Sequence, residues 1–292
     1  MPKLNRNNIA LVTGASRGIG EAYAVELARR GYDLFLVARH EEDLKKVCDR
    51  IKKMTGRRAI PIVQDLLDEQ APHRIYEIVR NEHRKRPALL VNNAGIAASG
   101  LFEETELERH QRLLTLNIMR LTELTHIFLP DMVRAEHGRI LNVASFLGLC
   151  PQAGVSTYAA SKAYIVNFTR ALNSELRGTG VSASAACPGY TNTKMVQGDR
   201  CNKDPNYGKV PARLLENRFV VARRTLDHLE KGIALSITTF GNRLTLLIMR
   251  LLGPVRFDRL LAKAFDRKAM EKHHRKTRKA ATLLTGRTTQ EK

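Results

Sequence analysis

Tyr158 and Lys162 stand four residues apart at the start of a predicted helix, so their side chains share one face. A free phenol, with a pKa of about 10, is a poor base near neutrality, and a neighbouring ammonium is expected to lower that value by favouring the phenolate. Such a pair can give and take a proton. Ser145 lies thirteen positions before Tyr158, at the end of a predicted strand, where its hydroxyl can bond and polarise a carbonyl. Each signal alone is a common surface feature. Together they put a serine, a phenol and an ammonium at one sheet edge, an arrangement for moving a proton to or from a carbonyl oxygen.

A second group of residues handles phosphate. Gly14, Ser16, Arg17, Gly18, Ile19 and Gly20 follow an apolar run directly and open a helical pattern. A side chain at these glycines would stop the backbone from closing tightly and approaching a pyrophosphate, whose charge then meets the helix N-terminus. The spacing is GxxxGxG, and dinucleotide binding is the reading it favours over a tight turn that binds nothing. At the end of the second predicted strand an acid would bond a ribose 2′-hydroxyl, but the residues are Ala38, Arg39 and His40. Arg39 presents a planar fork to a 2′-phosphate, with Arg17 as a second cation, so the expected cofactor is NADP(H). Asp65 and Leu66 are placed to cap the adenine edge, Asp65 serving equally well as a helix N-cap. Asn93, Ala94 and Gly95 close the fourth strand with residues small enough for backbone to lie against a cofactor.

Alternating apolar runs and amphipathic stretches must position these groups. Strands are predicted over 9–13, 34–37, 59–63, 88–92, 139–143 and 181–186, with helices over 19–30, 41–55, 69–84, 107–133 and 158–177. Gly31, Gly56, Gly138 and Gly178 fall where helices end. Alternation of this kind implies an α/β fold with a doubly wound parallel sheet, three layers deep. The polar, turn-prone stretch from Thr191 to about residue 210 is the candidate substrate loop. A single catalytic domain is expected over 1–240, followed over 241–292 by an amphipathic helical extension and basic tail.

The 292 residues are 43% hydrophobic and can bury a core without disulfides or metals. Cys48, Cys150, Cys187 and Cys201 form no CxxC pair, so no metal site is expected and a reduced, cytoplasmic setting fits best. The N-terminus leaves no room for a cleavable secretory signal, and no apolar stretch approaches the roughly 20 residues that cross a bilayer. The net charge of +20 raises nucleic acid, acidic membrane and anionic ligands as partners. No recognition motif or stacking aromatic array accompanies it, so nucleic acid is not expected.

The strings TGASRGIG (13–20) and NNAG (92–95), Asn117, Ser145, the Tyr158-x-x-x-Lys162 pair and Pro188-Gly189 together resemble the motif set of the classical short-chain dehydrogenase/reductase family. The likeness covers residues 9 to about 195. It implies an extended Rossmann fold in which Tyr158 is the general acid/base, Lys162 also holds the nicotinamide ribose and Ser145 steadies the reacting oxygen. Asn117 matches the position that holds a water in the family's proton relay. Pro188, Gly189, Thr191 and Thr193 match the segment meeting the nicotinamide, Thr193 being the better match for the threonine that bonds the carboxamide. A homodimer or homotetramer is the family habit.

Beyond this core, Leu244, Leu247, Ile248, Leu251 and Leu252 form one helical stripe, and Leu260, Leu261, Ala264 and Phe265 begin another after the break at Gly253-Pro254. Packing against the cleft or a second subunit is the favoured reading of these basic amphipathic segments, and peripheral contact with a membrane surface is the alternative. The extension loosely resembles that of family members reducing lipophilic carbonyls. Ala94, Ala97, Phe146, Leu147, Leu149 and Val155 are expected to border an apolar pocket for a small-molecule carbonyl or alcohol. The rival to a reductase is an NADP(H)-binding sensor or scaffold that does not turn over.

Overall fold

The computed structural model describes residues 8–197 and 212–263. Seven parallel strands form one sheet in the order β3-β2-β1-β4-β5-β6-β7: β1 (Ile9–Thr13), β2 (Asp33–Ala38), β3 (Ala59–Val63), β4 (Leu89–Asn92), β5 (Gly138–Val143), β6 (Val181–Cys187) and β7 (Leu235–Ile237). The order reverses between β1 and β4, where a doubly wound sheet opens its ligand crevice.

The helices are α1 (Gly18–Arg29), α2 (Glu41–Thr55), α3 (Ala71–Glu77), α4 (Leu107–Leu114), α5 (Arg120–Arg134), α6 (Ser156–Glu175), α7 (Lys194–Gln197), α8 (Arg218–Glu230), α9 (Phe240–Leu252) and α10 (Pro254–Lys263). Because side chains alternate along a strand, Ala10 and Val12 enter the core beneath α1, α2 and α8, whereas Ile9 and Leu11 enter the core beneath α3, α5 and α6. Both faces are therefore dry, and burying each large aliphatic side chain contributes roughly 1.5–3 kcal/mol. Arg30 ties α1 to α8 through Asp227 at 2.7 Å and Glu230 at 2.8 Å.

The six expected strands are all present, with ends shifted by one residue at most, and the three-layer α/β architecture is the expected one. β7 escaped notice because three residues are too few to show a period. The expected helix 69–84 begins at Ala71 and ends in a wider π turn, Ile78–Glu82, and the expected helix 107–133 is interrupted by another, Thr115–Met119. Such turns insert one extra residue and re-aim the side chains on them, and Asn117 lies in the second.

Leu246 and Phe257 are the side chains buried from α9 and α10, whereas Leu244, Leu247, Ile248, Leu251 and Leu252 all point away and stay exposed. Among the described residues nothing covers the stripe. Ala264, Phe265, the basic tail and the expected substrate loop after Gln197 lie outside the described residues.

Candidate active site

A cleft of about 600 Å³ lies along the carboxyl ends of the strands. Every candidate catalytic and cofactor-binding residue borders it except Gly20 and Asn117.

At one end β1 turns into α1 through Gly14 and Gly18, both at positive φ, +65° and +64°. Asn93 stitches this turn to β4: its Nδ2 donates to the carbonyls of Thr13 at 2.9 Å and Gly14 at 3.2 Å. The N–H groups of Asn93 and Ala94 both donate to Thr13 Oγ1 at 3.0 Å. Gly20 serves the same seam from behind, since a Cβ there would come within 2.1 Å of the Gly14 carbonyl oxygen. Ser16, Arg17, Gly18 and Ile19 thus present the start of α1 to the cleft, which is a cradle for a phosphate.

Arg39 and Asp65 sit together at the ends of β2 and β3, with Nη1 and Oδ2 3.7 Å apart and both side chains more than a third exposed. A pair so open to water is weak, so the guanidinium can exchange Asp65 for a phosphate. Leu66 is held by Arg120, whose Nε donates to its carbonyl at 2.8 Å while Nη1 grips Glu123 at 2.6 Å. Six cationic side chains border the cleft, Arg17, Arg39, Arg109, Arg112, Lys162 and Lys194, against the single carboxylate of Asp65 among the described residues. That field selects for an anionic ligand, and the glycine cradle is shaped for the diphosphate of a dinucleotide.

At the other end α6 brings Tyr158 and Lys162 under the strand ends. Ser145 stands two residues past the end of β5 rather than within it, extended at φ −162°, with Oγ accepting from the Leu147 N–H at 3.2 Å. Lys162 Nζ donates to the Val143 carbonyl at 2.9 Å and lies 5.7 Å from the centre of the Tyr158 ring. Burial pushes the Tyr158 phenol up to about 12, with a hydrogen bond from Ser145 pulling the other way. Burial likewise pushes the Lys162 ammonium down to about 8, opposed by Cys187.

The expected lowering of the phenol by its ammonium neighbour is therefore overturned. Both groups are dry and the ammonium is turned to a carbonyl, so loss of hydration is the largest cause of each shift. So raised, the phenol keeps its proton at neutral pH.

Asn117 lies behind the cleft wall, 1% exposed. Its Oδ1 accepts from the Ile96 N–H at 3.0 Å, and its Nδ2 donates to the Ile96 carbonyl at 3.0 Å and to Ser161 Oγ at 3.1 Å. A Cβ on Gly95 would meet Asn117 Oδ1 at 3.0 Å and Lys162 Nζ at 3.5 Å, so the absence of a side chain there lets the two approach.

Pro188 and Gly189 leave β6 on the far wall. Thr191 is buried, its Oγ1 donating to the Gly189 carbonyl at 3.1 Å, and Thr193 reaches across to Gly18. The segment is clamped to 216 by two backbone bonds, Glu216 N–H to the Tyr190 carbonyl at 2.8 Å and Asn192 N–H to the Glu216 carbonyl at 2.9 Å. Two side chains that the sequence gave no reason to select complete this wall. Asn242, from the first turn of α9, borders the cleft with its Nδ2 2.6 Å from where a Gly189 Cβ would be. Glu216 Oε1 accepts from Thr238 Oγ1 at 3.0 Å behind it, and burial raises this carboxyl above its usual range, against the Thr238 hydroxyl and the Gly189 N–H. No local pattern could have announced either.

The family model described as short chain dehydrogenase matches residues 8–204. The chain belongs to the short-chain dehydrogenase family. The 3-oxoacyl-(acyl-carrier-protein) reductase FabG of Pseudomonas aeruginosa is 31% identical over 219 residues, covering 75% of this chain and 88% of that one. The very-long-chain 3-oxoacyl-CoA reductase of Anas platyrhynchos is 35% identical over 191 residues, 64% of this chain and 60% of that one. Among solved structures, a short-chain dehydrogenase from Sphingobium yanoikuyae in complex with NADPH superposes with a TM-score of 0.73 at 31% identity, over 84% of this chain and 94% of that one. The protein is accordingly an oxidoreductase of the family, acting on alcohol or carbonyl groups. The family match ends before Glu216 and Asn242.

Proposed function

We propose that this oxidoreductase reduces an apolar ketone or aldehyde with NADP(H), and that Ser145, Tyr158 and Lys162 are its catalytic residues. The convergence of these three side chains on a cationic, glycine-floored cleft carries the reading. When bound, the dihydronicotinamide supplies a hydride to the carbonyl carbon. Gly14, Ser16, Arg17, Gly18 and Ile19 would hold the diphosphate, Arg39 the 2′-phosphate, and Asp65 and Leu66 the adenine edge. Asn93 to Gly95, Pro188, Gly189, Thr191 and Thr193 would hold the nicotinamide side. Ser145 Oγ orients the carbonyl oxygen, and the protonated Tyr158 delivers its proton there as charge develops. Lys162 keeps a cation beside the phenolate so formed. Asn117 acts as a positioning residue, fixing Ile96 and the wall beside Lys162.

Ala94, Ala97, Phe146 and Leu147 border the cleft as expected, with Met195 and Val196 added, whereas Leu149 and Val155 pack behind it. That lining supports an apolar substrate, and the names of the two relatives, both 3-oxoacyl reductases, point to an acyl chain. The test is NADPH consumption against ketones of increasing length. Since each methylene buried is worth about 0.8 kcal/mol, kcat/KM should rise up to about fourfold per carbon until the cleft is full. A flat series would remove the acyl-chain reading.

The 2′-phosphate assignment is tested separately. Replacing Arg39 with Asp removes a charge-assisted bond of about 1.5–3 kcal/mol and adds repulsion, so the NADPH-to-NADH preference should fall roughly ten- to hundredfold. An unchanged preference would show that other cations of the cleft read the phosphate.

A further inference from the structure

Helices α9 and α10 end the described chain with an apolar face that no described residue covers. Phe240, Leu244, Leu247, Ile248 and Leu251 recur at spacings of three and four, which aligns them on one side of α9. Phe240 is 80% exposed and Leu251 77%, while Leu246 on the opposite side is buried in the domain. Val255 and Leu260 extend the apolar surface onto α10. Arg250, Arg256, Arg259 and Lys263 stand exposed among them, and Asp258 is the one acid between residues 240 and 263.

An apolar stripe of this size marks a surface that is covered in use, and its charge selects the cover. A second copy of the same face would set one row of cations against another. The sequence outside the described residues is basic in each piece, two Lys and Arg against no acid over 1–7, three against two over 198–211 and nine against three over 264–292, so it does not neutralise the row either. An anionic bilayer surface accepts both components at once, leucines entering between the acyl chains and guanidinium groups meeting lipid phosphates. Neither helix is long and apolar enough to cross a membrane, so both would lie in its plane.

We infer that α9 and α10 dock the protein on an anionic phospholipid surface. The first turn of α9 also supplies Asn242 to the cleft wall, so docking places the cleft beside the lipid. Delivery of an apolar carbonyl directly from the bilayer rests on the function proposed above; the docking does not.

The experiment is co-sedimentation of the full chain with phosphatidylcholine vesicles, with and without about 30 mol% phosphatidylglycerol, a reading independent of turnover. Wild-type protein should pellet with the anionic vesicles and far less with the neutral ones. The double variant Leu247→Ser with Leu251→Ser changes only exposed side chains, and should partition at least about tenfold less while reducing a short, water-soluble ketone at the wild-type rate. The chain contains no tryptophan, so the emission of a Leu251→Trp variant reports that site alone and should shift to the blue on anionic vesicles. Partitioning that survives the serine variant would overturn the proposal in favour of adsorption by charge alone. Absence of wild-type binding would overturn it as well, and a wild-type dimer that the serine variant dissociates would show that the face meets a second copy.

Discussion

Replacing Tyr158 with Phe should lower kcat by about 10²–10⁴, the range a positioned proton donor contributes, while leaving the affinity for NADPH within roughly threefold. The separation follows from where the ring sits. Its body packs with Ala97, Ala98, Leu113 and Val155, contacts a phenylalanine keeps, and the hydroxyl alone faces Ser145 in the cleft. Removing that hydroxyl leaves Ser145 still bonded to the Leu147 N–H, so no polar group is stranded and the melting temperature should barely move. NADPH titration by fluorescence and single-turnover kinetics on the same preparation give both halves. Activity within tenfold of wild type would dismiss Tyr158 as the acid. Loss of NADPH binding in step with turnover would mean that the hydroxyl builds the cofactor site instead.

What could be read in advance was whatever local geometry dictates. The glycine turn is legible because its backbone needs positive φ at Gly14 and Gly18 and an uncovered seam at Gly20, and few other residues tolerate either. The limits of α2 could be placed to the residue, since Glu41, Glu42 and Asp43 crowd its first turn and Gly56, at φ +69°, stops it. Spacing alone brought Tyr158 and Lys162 to one face, and strand ends brought Ser145 and Asn93 to the same edge.

Properties set by distant neighbours were not legible. Periodicity shows that residues 244–252 carry an apolar stripe, but not what covers it; the exposure of Leu247 and Leu251 beside the buried Leu246 reveals that no described residue does. Arg120, Glu216 and Asn242 act through Leu66, Thr238 and Gly189, partners between 22 and 54 positions away in the chain. The π turn carrying Asn117 has no sequence signature. The direction of the Tyr158 shift is hidden from the sequence for the same reason: adjacency is a local property, whereas dehydration depends on everything packed around the pair.

That dehydration yields the last prediction. With Lys162 held down to about 8 by burial, its charge is present below that pH and lost above it. If the ammonium is what keeps the phenolate of Tyr158 accessible, kcat/KM for NADPH, which reports groups of the free enzyme, should be level below about pH 7 and fall with a midpoint near 8. Unfolding is not the cause over this span. The buried Cys187, Cys48 and Tyr158 all have their protonation raised on folding, so their contribution to stability is whole at pH 7 and begins to be lost only as the unfolded thiols and phenols ionise, from about pH 8.5 upward. Circular dichroism unchanged from pH 7 to 8.5 while kcat/KM declines would separate the two. Lys162→Met should reduce kcat/KM about 10²-fold or more at pH 7 and abolish the inflection, because no group is left to titrate there. A wild-type profile flat to pH 9.5, or an inflection that persists in the methionine variant, would mean that the charge of Lys162 is not what the reaction uses.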